Sequence, residues 1–124
     1  MNAMQRADDG PRALFPDASP KDFRASSLGR TPVHPGYFLE TRFMRPARIS
    51  QDALARALGI SRRRVNELVR GRRAFTPDTA VRLGIYFHTD PRMWMAMQAA
   101  WDVHQAWRQL EAQGDPLALE VLQD

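Results

Sequence analysis

The sequence predicts an all-α fold of five helices, compact, with a helix-turn-helix at its centre and a long helix near its C-terminus. Three observations carry that expectation. After the stretch TPVHPG the apolar residues recur at helical spacing, and no segment alternates like a strand for more than a few residues. Glycine and proline stand where helices should start and stop. Residues 61–73, SRRRVNELVRGRR, hold six arginines in thirteen positions, yet Val65, Leu68 and Val69 keep an inward helical rhythm.

The elements follow in order. Residues 1–30 mix Pro, Gly, Ser, Asp and Arg without a period of 2 or 3.6, which predicts a disordered, flexible tail. Leu14, Phe15 and Phe23 are isolated there, too few and too scattered for a core. Residues 31–124 form the folded part. A first helix is expected over about 36–44, entered at His34 and Pro35 and stopped before Pro46. A second spans about 51–58, with Ser50 as N-cap and Gly59 making the turn. A third covers about 62–70, with Ser61 as N-cap and Gly71 just past its end. A fourth covers about 77–87, capped by Thr76, with Pro77 at the first helical position and His88 closing it. The fifth runs from about 91 to 112, capped by Asp90 and stopped near Gly114, and DPLALEVLQ has the pattern of one more short helix.

Residues 51–68, QDALARALGISRRRVNEL, read as one unit. Leu54, Ala55 and Leu58 give the second helix an apolar face, Ile60 plugs the corner, and Val65, Leu68 and Val69 face back onto it. Two short helices joined by a tight glycine turn with matched inward residues are a helix-turn-helix. In that geometry the second helix enters the DNA major groove and its N-terminal residues reach base edges. Arg62, Arg63, Arg64, Asn66 and Glu67 occupy its outward arc and are the candidate base-contacting residues. Arginine pairs with guanine O6 and N7, and asparagine with adenine N6 and N7. Glu67 can accept from a cytosine amine, or orient Arg63 or Arg64 at spacing four or three. Gln51, Ser61, Arg70, Arg72, Arg73 and Thr76 flank that helix as candidate phosphate contacts, which position a protein without reading sequence. Helix-turn-helix patterns also occur in domains that bind no DNA, so the charge decides.

Between residues 42 and 73 ten arginines face only Asp52 and Glu67, a balance of +8, whereas residues 90–124 carry −4. Such a basic middle predicts a polyanionic partner. A membrane surface is the weaker use of that charge, because the third helix is short and its apolar residues are consumed by the core. No apolar run approaches the roughly 18 residues of a bilayer span, and no secretory leader pattern stands at the start, so a cytoplasmic, nucleoid-associated protein with no membrane contact is expected.

The fifth helix is apolar on two sides. One stripe runs Trp94, Met97, Trp101; another runs Met93, Ala96, Ala100, Val103, Trp107, Leu110. One stripe suffices for packing on a small domain, so the second predicts a homodimer, with Trp94, Trp101, Val103, Trp107 and Leu110 at its interface. A two-fold dimer would set two recognition helices about 34 Å apart, one helical turn of a palindromic operator.

HPGYFLETRF, ISQDALARALGISRRRVNELVRGRRAFTPDTAVRLGIYF and DPRMWMAMQAAWD together resemble the HigA-type antitoxins, the addiction-module antidote branch of the xenobiotic-response-element helix-turn-helix class. The likeness covers about residues 32–105, and its more specific parts are His34-Pro35-Gly36 and the later Pro-x-x-Trp with Gln98 and Asp102. The resemblance implies a lambda-repressor-like DNA-binding fold, repression of its own operon, and neutralisation of an RNA-cleaving toxin of the HigB type. This chain departs from the family in its MRPARI run and in Tyr37. An orphan regulator without a toxin, or an interaction module that binds DNA weakly, would share the same core.

Catalysis has no support in the sequence. There is no cysteine, no Gly-rich phosphate loop, no paired carboxylates in apolar context, and no Ser-His-Asp arrangement. His34, His88 and His104 stand far apart without ligand spacing, so neither a metal site nor a cofactor is expected.

Overall fold

The computed structural model describes residues 30–123, with side chains through residue 120; the tail expected over residues 1–29 lies outside them. Among the described residues every regular element is a helix. The chain divides at Ala106, and Thr31–Gln105 form the unit that carries the motif.

The first helix, α1, is continuous through three segments: Pro35–Leu39, a π-helical stretch Glu40–Met44, and Arg45–Ala47. It therefore runs past Pro46, contrary to the expectation that proline would stop it at about residue 44. The reason is the wide turn beneath the proline. Arg45 N–H bonds to Glu40 O, five residues back, and this π-bulge makes room for a ring that would otherwise clash with the turn below. The helix entry follows the sequence: His34 Nδ1 accepts the Gly36 N–H at 2.9 Å. The exit is a Schellman motif, with Ile49 N–H on Met44 O at 2.9 Å and Arg48 N–H on Arg45 O at 3.1 Å. Its left-handed residue is Arg48, at φ 55. Glycine holds that conformation freely, and another residue pays about 1–2 kcal/mol.

The next three helices match their capping signals. In α2, Gln51–Leu58, Ser50 Oγ accepts from Ala53 N–H, and Gly59 at φ 71 turns the chain. In α3, Arg62–Val69, Ser61 Oγ accepts from Arg64 N–H. In α4, Pro77–Phe87, Thr76 caps the start and His88, at φ 58, closes the end. Then come α5, Pro91–Ala112, and α6, Pro116–Gln123.

Leu39, Met44, Leu54, Ala55, Leu58, Val65, Leu68, Phe75, Ala80, Leu83 and Trp94 make one core. Trp94 is its aromatic centre, stacked on Phe75 at 5.7 Å and touching Phe38 and Phe43. Its indole N–H donates to Thr89 Oγ1 at 2.8 Å, so the buried ring leaves no donor unsatisfied. Two of the residues expected at a dimer interface are thereby corrected. Trp94 is 0% exposed, enclosed in the core, and Trp107 only 7% exposed. Trp101 is half-buried, with its ring 4.9 Å from that of His34. Val103 and Leu110 remain exposed.

Candidate nucleic-acid interface

The third helix is held from behind. Val65 and Leu68 are buried against α2, and α1 approaches its C-terminal end so closely that a Cβ on Gly36 would lie 1.9 Å from Leu68 O. The loop after it is fastened to α5. Gln98, itself buried, accepts from Phe75 N–H at 2.8 Å and donates to Asp102 at 2.9 Å. His34, beside Gly71 and Trp101, has its pKa lowered by burial, against an opposing pull from Asp102.

On the outward side the expected base-contacting residues divide. Arg63 is the most open, its side chain 90% exposed. Its Nε donates to Glu67 Oε1 at 3.1 Å, and Arg73 lies 3.4 Å from the other oxygen of Glu67. Both carboxylate oxygens are thus engaged, which favours the orienting role for Glu67 over acceptance from a base. Arg62 stands 3.4 Å from Asp52 in an exposed pair. Asn66 Nδ2 donates to Gln51 Oε1 at 3.0 Å, tying the start of α2 to the middle of α3.

Arg64 goes elsewhere. It donates to Thr79 Oγ1 at 2.7 Å and to Asp78 Oδ2 at 3.1 Å, and its side chain is only 27% exposed. It braces α3 against α4 and does not stand free on the outward arc. Sequence spacing along α3 alone could not reveal this, because the partners lie fourteen and fifteen residues away. Arg82 was also missed. It donates to Asp78 at 2.9 Å and to Leu58 O at 2.7 Å, covering a free carbonyl at the end of α2. Its spacing of four from Asp78 is the signal that could have found it. The hydrogen bond from Arg82, helped by that from Arg64, holds the Asp78 carboxyl below the usual carboxylate range.

Of the expected phosphate contacts, Ser61 and Thr76 are exposed helix caps, and Arg70, Arg72 and Arg73 are exposed around the C-terminal end of α3. Arg70 and Arg72 have no acidic partner among the described residues. The result is a helix with two exposed guanidiniums, Arg62 and Arg63, at its N-terminal end and a basic rim. Among the described residues no cluster of metal-binding side chains occurs, and no helix is long and apolar enough to cross a membrane.

Residues 42–94 match the family described as helix-turn-helix. The chain is 45% identical over 74 residues to virulence-associated protein I of Dichelobacter nodosus, covering 60% of this chain and 68% of that protein. Antitoxin HigA-1 of Vibrio cholerae is 31% identical over 83 residues, 64% of this chain and 78% of its own. The solved structure of Pseudomonas aeruginosa antitoxin HigA with the higBA promoter superposes with a TM-score of 0.64 at 39% identity, covering 68% of this chain and 91% of that one. The chain belongs to the HigA-type antitoxins. The family-specific residues do structural work here: His34 caps α1, Gly36 admits the backbone of α3, and Gln98 with Asp102 secures the loop behind it. In this HigA-type chain those residues support the third helix and the loop behind it.

Proposed function

We propose that this chain is a sequence-specific DNA-binding repressor of the HigA type, which docks α3 in the major groove of duplex DNA. The observation that carries the reading is Arg63, 90% exposed on a helix whose opposite face is locked in the core. A guanidinium so placed suits the O6 and N7 edge of guanine. Glu67 fixes its direction, which lowers the entropy lost when it engages a base. Arg62 and Asn66 are the next readers, each released from a weak intramolecular partner when a base offers a better one. Arg64 acts through α4 as a positioning residue. Gln51, Ser61, Arg70, Arg72, Arg73 and Thr76 hold the backbone on either side.

The operator is palindromic and the protein binds it as a dimer. Val103 and Leu110, 54% and 37% exposed on α5, support a contact between two copies. The chain represses its own operon and neutralises an RNA-cleaving toxin encoded beside it, a reading supported by membership of the antitoxin family.

The test is the salt dependence of binding to the duplex upstream of its own gene. With six to eight phosphates neutralised, log K should fall against log salt with a slope of roughly −5 to −7. A slope near zero, or no binding to that duplex, would overturn the proposal. A small RNase-like reading frame next to the gene separates an antitoxin from an orphan regulator.

A further inference from the structure

We infer that Arg48, outside the helix-turn-helix itself, is a second clamp on the DNA backbone and extends the footprint beyond the recognition helix. The inference rests on the proposed docking of α3.

The surface before α2 is strongly basic. Arg42, Arg45 and Arg48 follow one another at intervals of three and all are exposed. They are not equivalent. Arg45 is neutralised by an ion pair with Glu40. Arg48 has no acidic partner among the described residues, so its charge is available to a ligand.

Its position joins the candidate interface. Arg48, Ile49, Ser50 and Gln51, with Met44 and the paired Glu40 and Arg45, line one concave surface of about 360 Å³. Gln51 at its edge is hydrogen-bonded to Asn66 in the middle of α3. A duplex seated on α3 would therefore run beside this concavity, one short segment away from Arg48. The concavity is shallow and open, with an apolar floor at Met44 and Ile49, and Arg48 is the unpaired charge among its lining residues.

The backbone sharpens the case. Arg48 occupies the left-handed position of the Schellman turn, where glycine is the usual occupant. At the equivalent turn after α2 the chain does use glycine, Gly59 at φ 71. An arginine in this place strains the backbone and gains no ion pair inside the fold. A charge held out by a rigid turn, flanking the groove-reading helix, is what a backbone contact needs.

The test compares the full chain with Arg48→Asn, Arg48→Gly and Arg48→Lys on the upstream duplex and on a scrambled duplex. Asparagine and glycine tolerate the left-handed backbone, so both variants should melt at or above the wild-type temperature. Both should bind the two duplexes more weakly by the same factor, and the salt slope should become shallower by about 0.9. The wild-type advantage should then shrink about 3.5-fold as salt rises from about 50 to about 200 mM. Arg48→Lys should keep the wild-type slope. Unchanged slopes in both Arg48→Asn and Arg48→Gly, with wild-type binding intact, would overturn the clamp and leave the role of α3 standing. A loss confined to one base pair would overturn it also, since that is the mark of a reader. Failure of the wild type to bind any duplex would overturn both.

Discussion

Replacing Gly36 by alanine tests how the recognition helix is held. The added Cβ would sit 1.9 Å from Leu68 O and 2.9 Å from the Leu68 carbonyl carbon, whereas ordinary contact begins at 3.4 Å. The overlap is therefore 1.5 Å, and it is against backbone. Leu68 O is already fixed by the Gly71 N–H at 3.1 Å, so no rotamer change relieves the clash. Either α1 or α3 has to move as a body. Overpacking against a yielding side chain costs about 1–3 kcal/mol, and here the upper end or more applies. For a unit of this size about 3 kcal/mol lowers Tm by roughly 12 °C or more. Gly59→Ala supplies the comparison within the same unit. It meets only the guanidinium end of Arg82, at 3.3 Å, and suffers mainly from its positive φ of 71, for about 1–2 kcal/mol. Thermal denaturation followed by far-UV circular dichroism should rank Gly36→Ala well below Gly59→Ala. Equal melting temperatures would refute the close docking of α1 on α3. Where it remains folded, Gly36→Ala should also bind duplex more weakly, because the helix it displaces is the one proposed to read the groove.

Arg63→Ala should leave Tm within about 2 °C of wild type yet cost about 1–3 kcal/mol of discrimination at one base pair, measured by fluorescence anisotropy on single-substitution duplexes; a uniform loss would make Arg63 a clamp. Arg64→Ala should instead melt earlier, since it removes the bond to buried Thr79, worth about 1–2 kcal/mol, and a wild-type melting curve would contradict its bracing role. Burial lowers the pKa of His34 below 6.5, so the unfolded chain binds the extra proton first. That contribution to stability is complete above about pH 6.5 and is lost as pH falls through the folded pKa. Tm of wild type should therefore drop more between pH 7 and pH 5 than Tm of His34→Asn, which keeps a capping acceptor without titrating, and parallel curves would exclude His34 as the source. Arg substitutions at Val103 and Leu110 together should yield monomers and a steep loss of operator affinity; a retained dimer mass in solution scattering would put the interface elsewhere.

The helices were legible because their ends carry short-range chemistry. Ser50, Ser61 and Thr76 each accept the backbone N–H three residues on, and Pro77 and Gly59 act within a turn of where they stand. The inward faces of α2 and α3 were equally plain, since Leu54, Leu58, Val65 and Leu68 follow a single period. What escaped depends on distant partners or on backbone accommodation. Pro46 reads as a stop because proline breaks an α-helix, and nothing local announces the π-bulge that lets the chain continue. Arg64 sits among identical neighbours, and only the placement of α4 turns it inward. Trp94 and Trp107 look like surplus apolar residues on a one-sided helix until the packing that buries them is known. The site was thus readable as a surface but not side chain by side chain.

The most direct measurement is an amide NMR titration of the full chain with the upstream duplex. Shifts centred on residues 62–67, with smaller changes at Arg48, Gln51 and Arg72, are the predicted result. Perturbations gathered on α5 and α6, with residues 62–67 unmoved, would contradict it.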